Sequence, residues 1–255
     1  MRLTRVFVDA PLAQDALLPL PPGPAQHLVR VLRLGAGDAL VVFNGRGGEY
    51  AARIESIQRD KVAARIGVHA AIERESPLAT TLLQGVARGE KMDQILQKAT
   101  ELGITRVVPV LTARSNVRLD AGNAARKQEH WRGVAVGACE QSGRNRIPEI
   151  ATPASLATAL ASSGSGLRLV LTPDDGAASL QSLATAAMAS ASGLHAIVML
   201  VGPEGGLDPQ EIDAAHAAGF TACGLGPRVL RTETAALAVL AALQFAAGDF
   251  ADRAQ

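Results

Sequence analysis

Cysteine is scarce in this chain: Cys139 and Cys223 are the only two in 255 residues, far apart and with no second pair. That excludes a disulfide framework and a zinc ribbon, and a reducing compartment is the expectation. Long apolar runs are also missing. Residues 235–247 form the longest apolar stretch, which is broken by Gln244 and falls short of the ~20 residues a membrane span needs. The first eleven residues carry Arg2, Arg5 and Asp9 and lack a continuous apolar segment of signal-peptide length. A cytoplasmic protein with no membrane partner is therefore expected. With 48% apolar and 19% charged residues, the composition is far from that of a disordered chain, and the length suits two modest domains.

A net charge of +1 conceals an asymmetry. Residues 1–74 hold 10 Lys+Arg against 7 Asp+Glu, residues 75–150 hold 11 against 8, and residues 151–255 hold 4 against 9. Either a polyanion docks on the basic front while something smaller binds at the acidic back, or the charges are scattered surface decoration. The first seventy residues pattern as a small β-rich domain, with strands at 5–8, 39–43, 50–57 and 62–68 separated by turn residues at 35–38 and 44–48. A helix beginning near Pro24 interrupts them and runs to Gly35, with Arg30 and Arg33 on its polar face. Residues 70–77 read as a linker.

From Leu78 on, strand-like runs alternate with helical patterns, the signature of a mainly parallel sheet covered on both faces. Strands are expected at 80–86, 104–110, 167–171, 196–201 and 220–225, and helices at 90–102, 123–141, from Asp208 onward, and at 232–247. No G-x-G-x-x-G follows the first of these strands, where Gly85-Val86-Ala87-Arg88-Gly89-Glu90-Lys91 stands instead. This disfavours a nucleotide-dependent oxidoreductase. The glycines cluster after the last two strands, at Gly202-Pro203-Glu204-Gly205-Gly206 and at Gly224-Leu225-Gly226-Pro227-Arg228-Val229-Leu230-Arg231. Loops at the carboxyl ends of parallel strands are where such sheets bind ligands, and glycine lets the backbone approach a flat polar group. Each loop taken singly also fits a plain turn.

Arg231, Thr232, Glu233 and Thr234 open the last helix, where unpaired amides favour anionic groups. Thr232 fits a capping role, whereas Arg231 has no structural reason to stand there. Arg144 and Arg146 form a further basic cluster after Cys139-Glu140-Gln141-Ser142; they suit phosphates and stacked bases, or a solvated charged loop. Cys139 reads as a small buried residue, since no histidine is near it in sequence.

Seven stretches taken together resemble one family: Arg30-Val31-Leu32-Arg33; Arg74-Glu75-Ser76-Pro77; Arg88-Gly89-Glu90-Lys91-Met92; Glu101-Leu102-Gly103; Ala138-Cys139-Glu140-Gln141 with Gly143-Arg144-Asn145-Arg146 and Pro148-Glu149-Ile150; Gly202-Pro203-Glu204-Gly205-Gly206-Leu207; and residues 225–235. The family is the bacterial 16S ribosomal RNA uridine-N3 methyltransferases of the SPOUT superfamily. The resemblance runs in order along almost the whole chain. It implies an α/β fold in which a PUA-like β-barrel domain at 1–72 binds RNA and a SPOUT methyltransferase domain at 73–255 ends in a trefoil knot. It also implies S-adenosyl-L-methionine as cofactor, N3 of uridine 1498 as the family target, 16S rRNA or the small ribosomal subunit as partner rather than DNA, and a homodimer. The cofactor would then lie against Leu171, Thr172, Pro173, Gly202, Pro203, Glu204, Gly205, Gly206, Leu225, Gly226, Leu230 and Thr234. Arg30, Arg33, Arg88, Lys91, Arg144 and Arg146 would face RNA, while Arg231 and Glu233 would serve catalysis, Glu233 as base. No metal is expected. A non-catalytic rRNA-binding assembly factor is the rival reading, against which the intact pair of glycine loops argues.

Overall fold

The computed structural model describes residues 3–59, 61–115, 121–174, 176–191 and 193–250. Contacts divide the chain into two units, one of residues 1–75 and 136–147 and the other of residues 76–135 and 148–255. Residues 136–147 thus leave the catalytic domain expected from sequence and pack with the first unit, because the end of a long helix brings Cys139 against Phe7 and Phe43.

In the first unit, β1 (Thr4–Phe7), β2 (Leu17–Pro19), β3 (Ala39–Phe43), β4 (Glu49–Gln58) and β5 (Lys61–Ala70) make one sheet in the order β1-β3-β4-β5-β2. Only the β1–β3 pair is parallel. Alternation sets the inner face: along β5, Val62, Ala64 and Ile66 are buried while Lys61 and Arg65 face outward. The strands expected from sequence all form. The helix differs, since α1 (Pro22–Gln26) passes into a wider turn over His27–Val31 in which the Leu32 amide reaches back five residues to His27.

The segment expected as a linker is fastened within this unit. The Glu49 Oε2 accepts from Arg5 at 2.6 Å, Arg74 at 2.9 Å and Asn145 at 3.1 Å. Arg144 grips both oxygens of Glu75, and Arg146 reaches Glu73 at 2.6 Å. Arg144 is 4% exposed, so the expected RNA-facing prong is instead half of a buried ion pair. A guanidinium that deep must be paired, because an isolated charge there would lose its hydration without compensation.

The second unit carries a parallel sheet built from β6 (Ala79–Gly85), β7 (Arg106–Leu111), β8 (Glu149–Ile150), β9 (Ala154–Ser155), β10 (Leu167–Leu171), β11 (Ala178–Ser179), β12 (Ala196–Val201) and β13 (Thr221–Gly224). The order is β11-β13-β10-β12-β6-β7-β8, with β9 beside β7 and every pairing parallel. Successive side chains feed opposite cores: Leu82, Val107, Ile197 and Met199 enter one, and Leu83, Val108, Val198 and Leu200 the other. A sheet covered on both faces explains why these strands read as continuous apolar runs.

Helices α2 (Glu90–Glu101), α3 (Ala121–Ser142), α4 (Leu156–Ala161), α5 (Leu180–Met188), α6 (Pro209–Ala217) and α7 (Thr232–Ala247) complete the fold. On α7, Ala236, Val239, Leu240 and Leu243 recur at helical spacing and share a core with Met92, Ile95, Leu96 and Ala99 of α2. Asp208 and Glu211 form a reciprocal capping box at the start of α6. Burial pushes the thiols of Cys139 and Cys223 up to about 12 and about 11, as inert core residues rather than nucleophiles require. Among the described residues, no helix is long and apolar enough to cross a membrane, and no group of side chains is arranged to hold a metal.

The Glu49 hub generates a pH-dependent expectation. Burial alone would raise its carboxyl, but the hydrogen bonds from Arg74, Arg5 and Asn145 prevail and hold it at about 2, against 4.5 unperturbed. A depressed carboxylate adds stability above its unfolded value, and that stability fades as pH falls toward the folded one. Glu49→Gln should cost about 2 kcal/mol at neutral pH. In thermal melts, its gap from the parent should begin to narrow below about pH 4.5 and close near pH 2. A gap constant with pH would remove the charge from the account.

Candidate functional site

Strands β13, β10 and β12 are neighbours and run the same way, so their following loops emerge side by side. Together with the start of α7 these loops enclose a cleft of about 580 Å³, within the range of small-molecule sites, roughly 300–1,000 Å³. After β10, Thr172 donates through its hydroxyl to Asp174 at 2.5 Å, and its amide reaches Cys223 on the adjacent strand at 3.3 Å.

After β12, the chain curls tightly. The Gly206 amide donates to Pro203 O at 2.9 Å, and Gly206 has φ +71°, a left-handed conformation that glycine adopts without strain. Two neighbouring segments clasp this loop. Glu204 accepts from the Arg88 amide at 3.1 Å and pairs with Lys91 at 3.3 Å, while Arg114 donates to Gly205 O at 3.2 Å. Burial would raise the Glu204 carboxyl, yet its own amide, that of Arg88 and the Lys91 ammonium together hold it below the usual range. Sequence reasoning assigned Glu204 to the cofactor and Lys91 to RNA. The structure pairs them with each other.

The loop after β13 leads into α7, whose N-cap is Arg231 with no side-chain cap. Thr232 does not cap either, because its hydroxyl donates to Gly202 O at 2.6 Å and accepts from Gln84 at 2.9 Å. Glu233 lines the cleft, and its Oε2 is shielded from solvent with no hydrogen-bond partner among the described residues. A carboxylate oxygen so placed is costly unless something else satisfies it.

Of the expected cofactor positions, Leu171, Thr172, Pro173, residues 202–206, Leu225, Gly226 and Leu230 all line the cleft. Thr234 is exposed and does not line it. Arg231, Glu233 and Lys91 line it too, while Arg30, Arg33 and Arg88 are exposed. Sequence reasoning missed Arg114 and Asp174, which also line the cleft, and the buried Gln84 behind it. For Gln84 there was a signal, an amide inside the apolar run 82–87; for Arg114 there was none.

The residues fit a small zwitterionic cofactor that also has flat and hydroxylated parts. Apolar Leu171, Leu225 and Leu230 supply contact surface, while Arg114, Arg228 and Arg231 on one side of the charge balance and Asp174 and Glu233 on the other offer partners for groups of both signs.

Comparison with known proteins agrees with this architecture. A family model for an RNA methyltransferase domain matches residues 74–244, and one for an RNA methyltransferase PUA domain matches residues 25–67. A methyltransferase of Legionella pneumophila, solved with bound S-adenosylmethionine, superposes with a TM-score of 0.91 at 36% identity over 98% of this chain and 100% of that one. Ribosomal RNA small subunit methyltransferase E of Neisseria gonorrhoeae, solved bound to S-adenosyl methionine, gives 0.86 at 36% identity over the same shares. The Bacillus subtilis protein of that name is 33% identical over 86% of each chain. Fold and cleft therefore define an RNA methyltransferase of the SPOUT fold with a PUA domain in front. Within that class, the chain belongs to the ribosomal RNA small subunit methyltransferase E family.

Beneath the cleft, the backbone of β6 abuts the ring and backbone of Pro203. A Cβ added to Gly85, at the end of β6, would lie 2.5 Å from Pro203 Cδ and 2.6 Å from Pro203 N. Gly85→Ala should therefore displace the 202–206 loop and cost about 1–3 kcal/mol, the scale of overpacking. Thermal denaturation with a crystal structure of the variant checks this; parental stability with an unmoved loop would contradict it.

Proposed function

We propose that this protein transfers the methyl group of S-adenosylmethionine to N3 of a uridine in 16S rRNA, acting in the cytoplasm on the small subunit or its precursor. The observation that carries the reading is the unpartnered Glu233 oxygen in a cleft formed by three strand-end loops. The cofactor, when bound, supplies an electrophilic methyl. N3 of uridine holds a proton near neutral pH, so a base must take it or a cation must stabilise the developing anion. Glu233 removes that proton through Oε2, which has no competing donor among the described residues. Arg231, exposed at the start of α7, holds a uracil oxygen or a flanking phosphate with its planar fork. Residues 171–173, 202–206, 225–226 and 230 hold the cofactor.

Arg30, Arg33, Arg88 and Arg146 receive RNA phosphates, with Lys91 at the cleft. Arg144 is excluded from this set by its burial on Glu75. A homodimer and a knotted C-terminal path belong to the same reading. The crossing of β10 on the way from β12 to β13 is compatible with the latter.

The reaction is tested by mass spectrometry of 16S rRNA from cells lacking the gene. One N3-methyluridine should disappear and return on complementation; an unchanged modification pattern refutes the target. Glu233→Gln should lower the single-turnover rate at saturating RNA and cofactor by ~100-fold or more while barely changing cofactor affinity. A near-native rate would remove Glu233 from proton transfer. In the front unit, Arg30→Ala with Arg33→Ala should weaken RNA binding and flatten its salt dependence by roughly one unit of slope per lost phosphate contact. An unaltered slope would take these two residues out of the RNA interface.

A further inference from the structure

Gln84 lies in the interior of the parallel sheet, on β6 between β12 and β7, and is fully buried. Its amide nitrogen donates to Thr232 Oγ1 at 2.9 Å and faces Gly85 O at 3.0 Å and Gly202 O at 3.4 Å. Its Oε1 is buried with no partner among the described residues. Rotating the amide would not cure this, because the oxygen would then oppose two carbonyl oxygens that cannot donate. The direction of the chain of bonds is thereby fixed. Thr232 gives its single hydroxyl proton to Gly202 O at 2.6 Å, so it can only accept from Gln84.

An apolar residue would fill this strand position without leaving an orphaned acceptor. The amide therefore costs the fold something, and what it supplies is directional. It ties a strand end to the first residue of the 202–206 loop and to the residue between Arg231 and Glu233. Gln84 does not itself line the cleft, but the two walls it joins do.

We infer that Gln84 is a positioning residue: through Thr232 it sets the cofactor loop and the start of α7 in register, so that Glu233 and the bound cofactor face one substrate atom. The inference rests on the reading of the cleft as a methyl-transfer site. Misplacement by about 1 Å can cost a reaction on the order of 100-fold, so a small loss of register has a large kinetic effect.

The test uses Gln84→Met, which keeps length and volume but has no donor to offer Thr232. In the ligand-free protein, amide hydrogen exchange should rise together in residues 202–206 and 231–235 and nowhere else in the sheet. With cofactor and RNA saturating, the single-turnover rate should fall by roughly 10- to 100-fold while RNA affinity stays unchanged. Leu83→Val, a destabilising change on the same strand that faces the opposite core, should lower the melting temperature yet spare the rate. Thr232→Val should reproduce the loss, Thr232→Ser should restore it, and Gln84→Met combined with Thr232→Val should be no slower than the worse single variant. Native exchange and rate in folded Gln84→Met, or independent multiplication of the two effects, overturns the inference. Should Gln84→Met fail to fold, the Thr232 pair decides, and equal rates in Thr232→Val and Thr232→Ser overturn it. If the parent neither binds S-adenosylmethionine nor methylates RNA, the functional reading falls, and the ligand-free exchange still decides whether the two segments are linked.

Discussion

Parallel alignment of adjacent strands is the constraint from which the rest of the second unit follows. Because β13, β10 and β12 lie side by side and point the same way, their loops leave the sheet at one edge and have nowhere to go but against each other. Ligands bind at such carboxyl edges for this reason, where the order of strands departs from the order of the chain. Strand order also explains the crowding beneath the cleft. β6 sits next to β12, so its end meets the first turn of the 202–206 loop, and only a glycine at position 85 leaves room for Pro203.

Charge is distributed by a different rule in the first unit. Three arginines, Arg5, Arg74 and Arg144, are consumed by two glutamates, while Arg146 pairs with Glu73 from an exposed position, and Arg5 also lies 4.8 Å from the centre of the Phe43 ring. Guanidinium groups serve here because each can bridge several acceptors in one plane. The net basic charge of the front half thus overstates what is available to a polyanion. Arg30 and Arg33, on and after the widened turn, remain exposed.

Among the buried oxygens that have no partner among the described residues, those of Gln84 and Glu233 lie behind and within the same cleft. Apolar cores rarely tolerate such groups, and where local rules are broken in an otherwise consistent fold the cause is usually functional. Around them the structure is conventional: both faces of the sheet are packed with aliphatic side chains, and α6 begins with a full capping box. Buried side-chain oxygens without a partner among the described residues also occur on Thr112 and Ser142, away from the cleft; what sets Gln84 and Glu233 apart is that they stand behind and within one ligand-sized site.

Much of this was legible in the sequence. The alternation of apolar runs located the principal strands, α7 begins at Thr232 and ends at Ala247 where expected, and the two glycine-rich loops line the cleft. These features are local: they depend on spacing and on which residues tolerate a given backbone, and both are written in the chain itself. Short elements such as β8, β9 and β11, two residues each, were not legible, since a two-residue strand has no period. Nor was the fate of the polar residues. Arg144 reads from sequence as a prong for RNA but holds Glu75, Thr232 reads as a cap but gives its hydroxyl to Gly202 O at 2.6 Å, and Gln84, which drew no reading at all, donates to Thr232. A polar side chain takes its role from its partners, and those stand 69, 30 and 148 positions away along the chain, at separations only the tertiary fold closes.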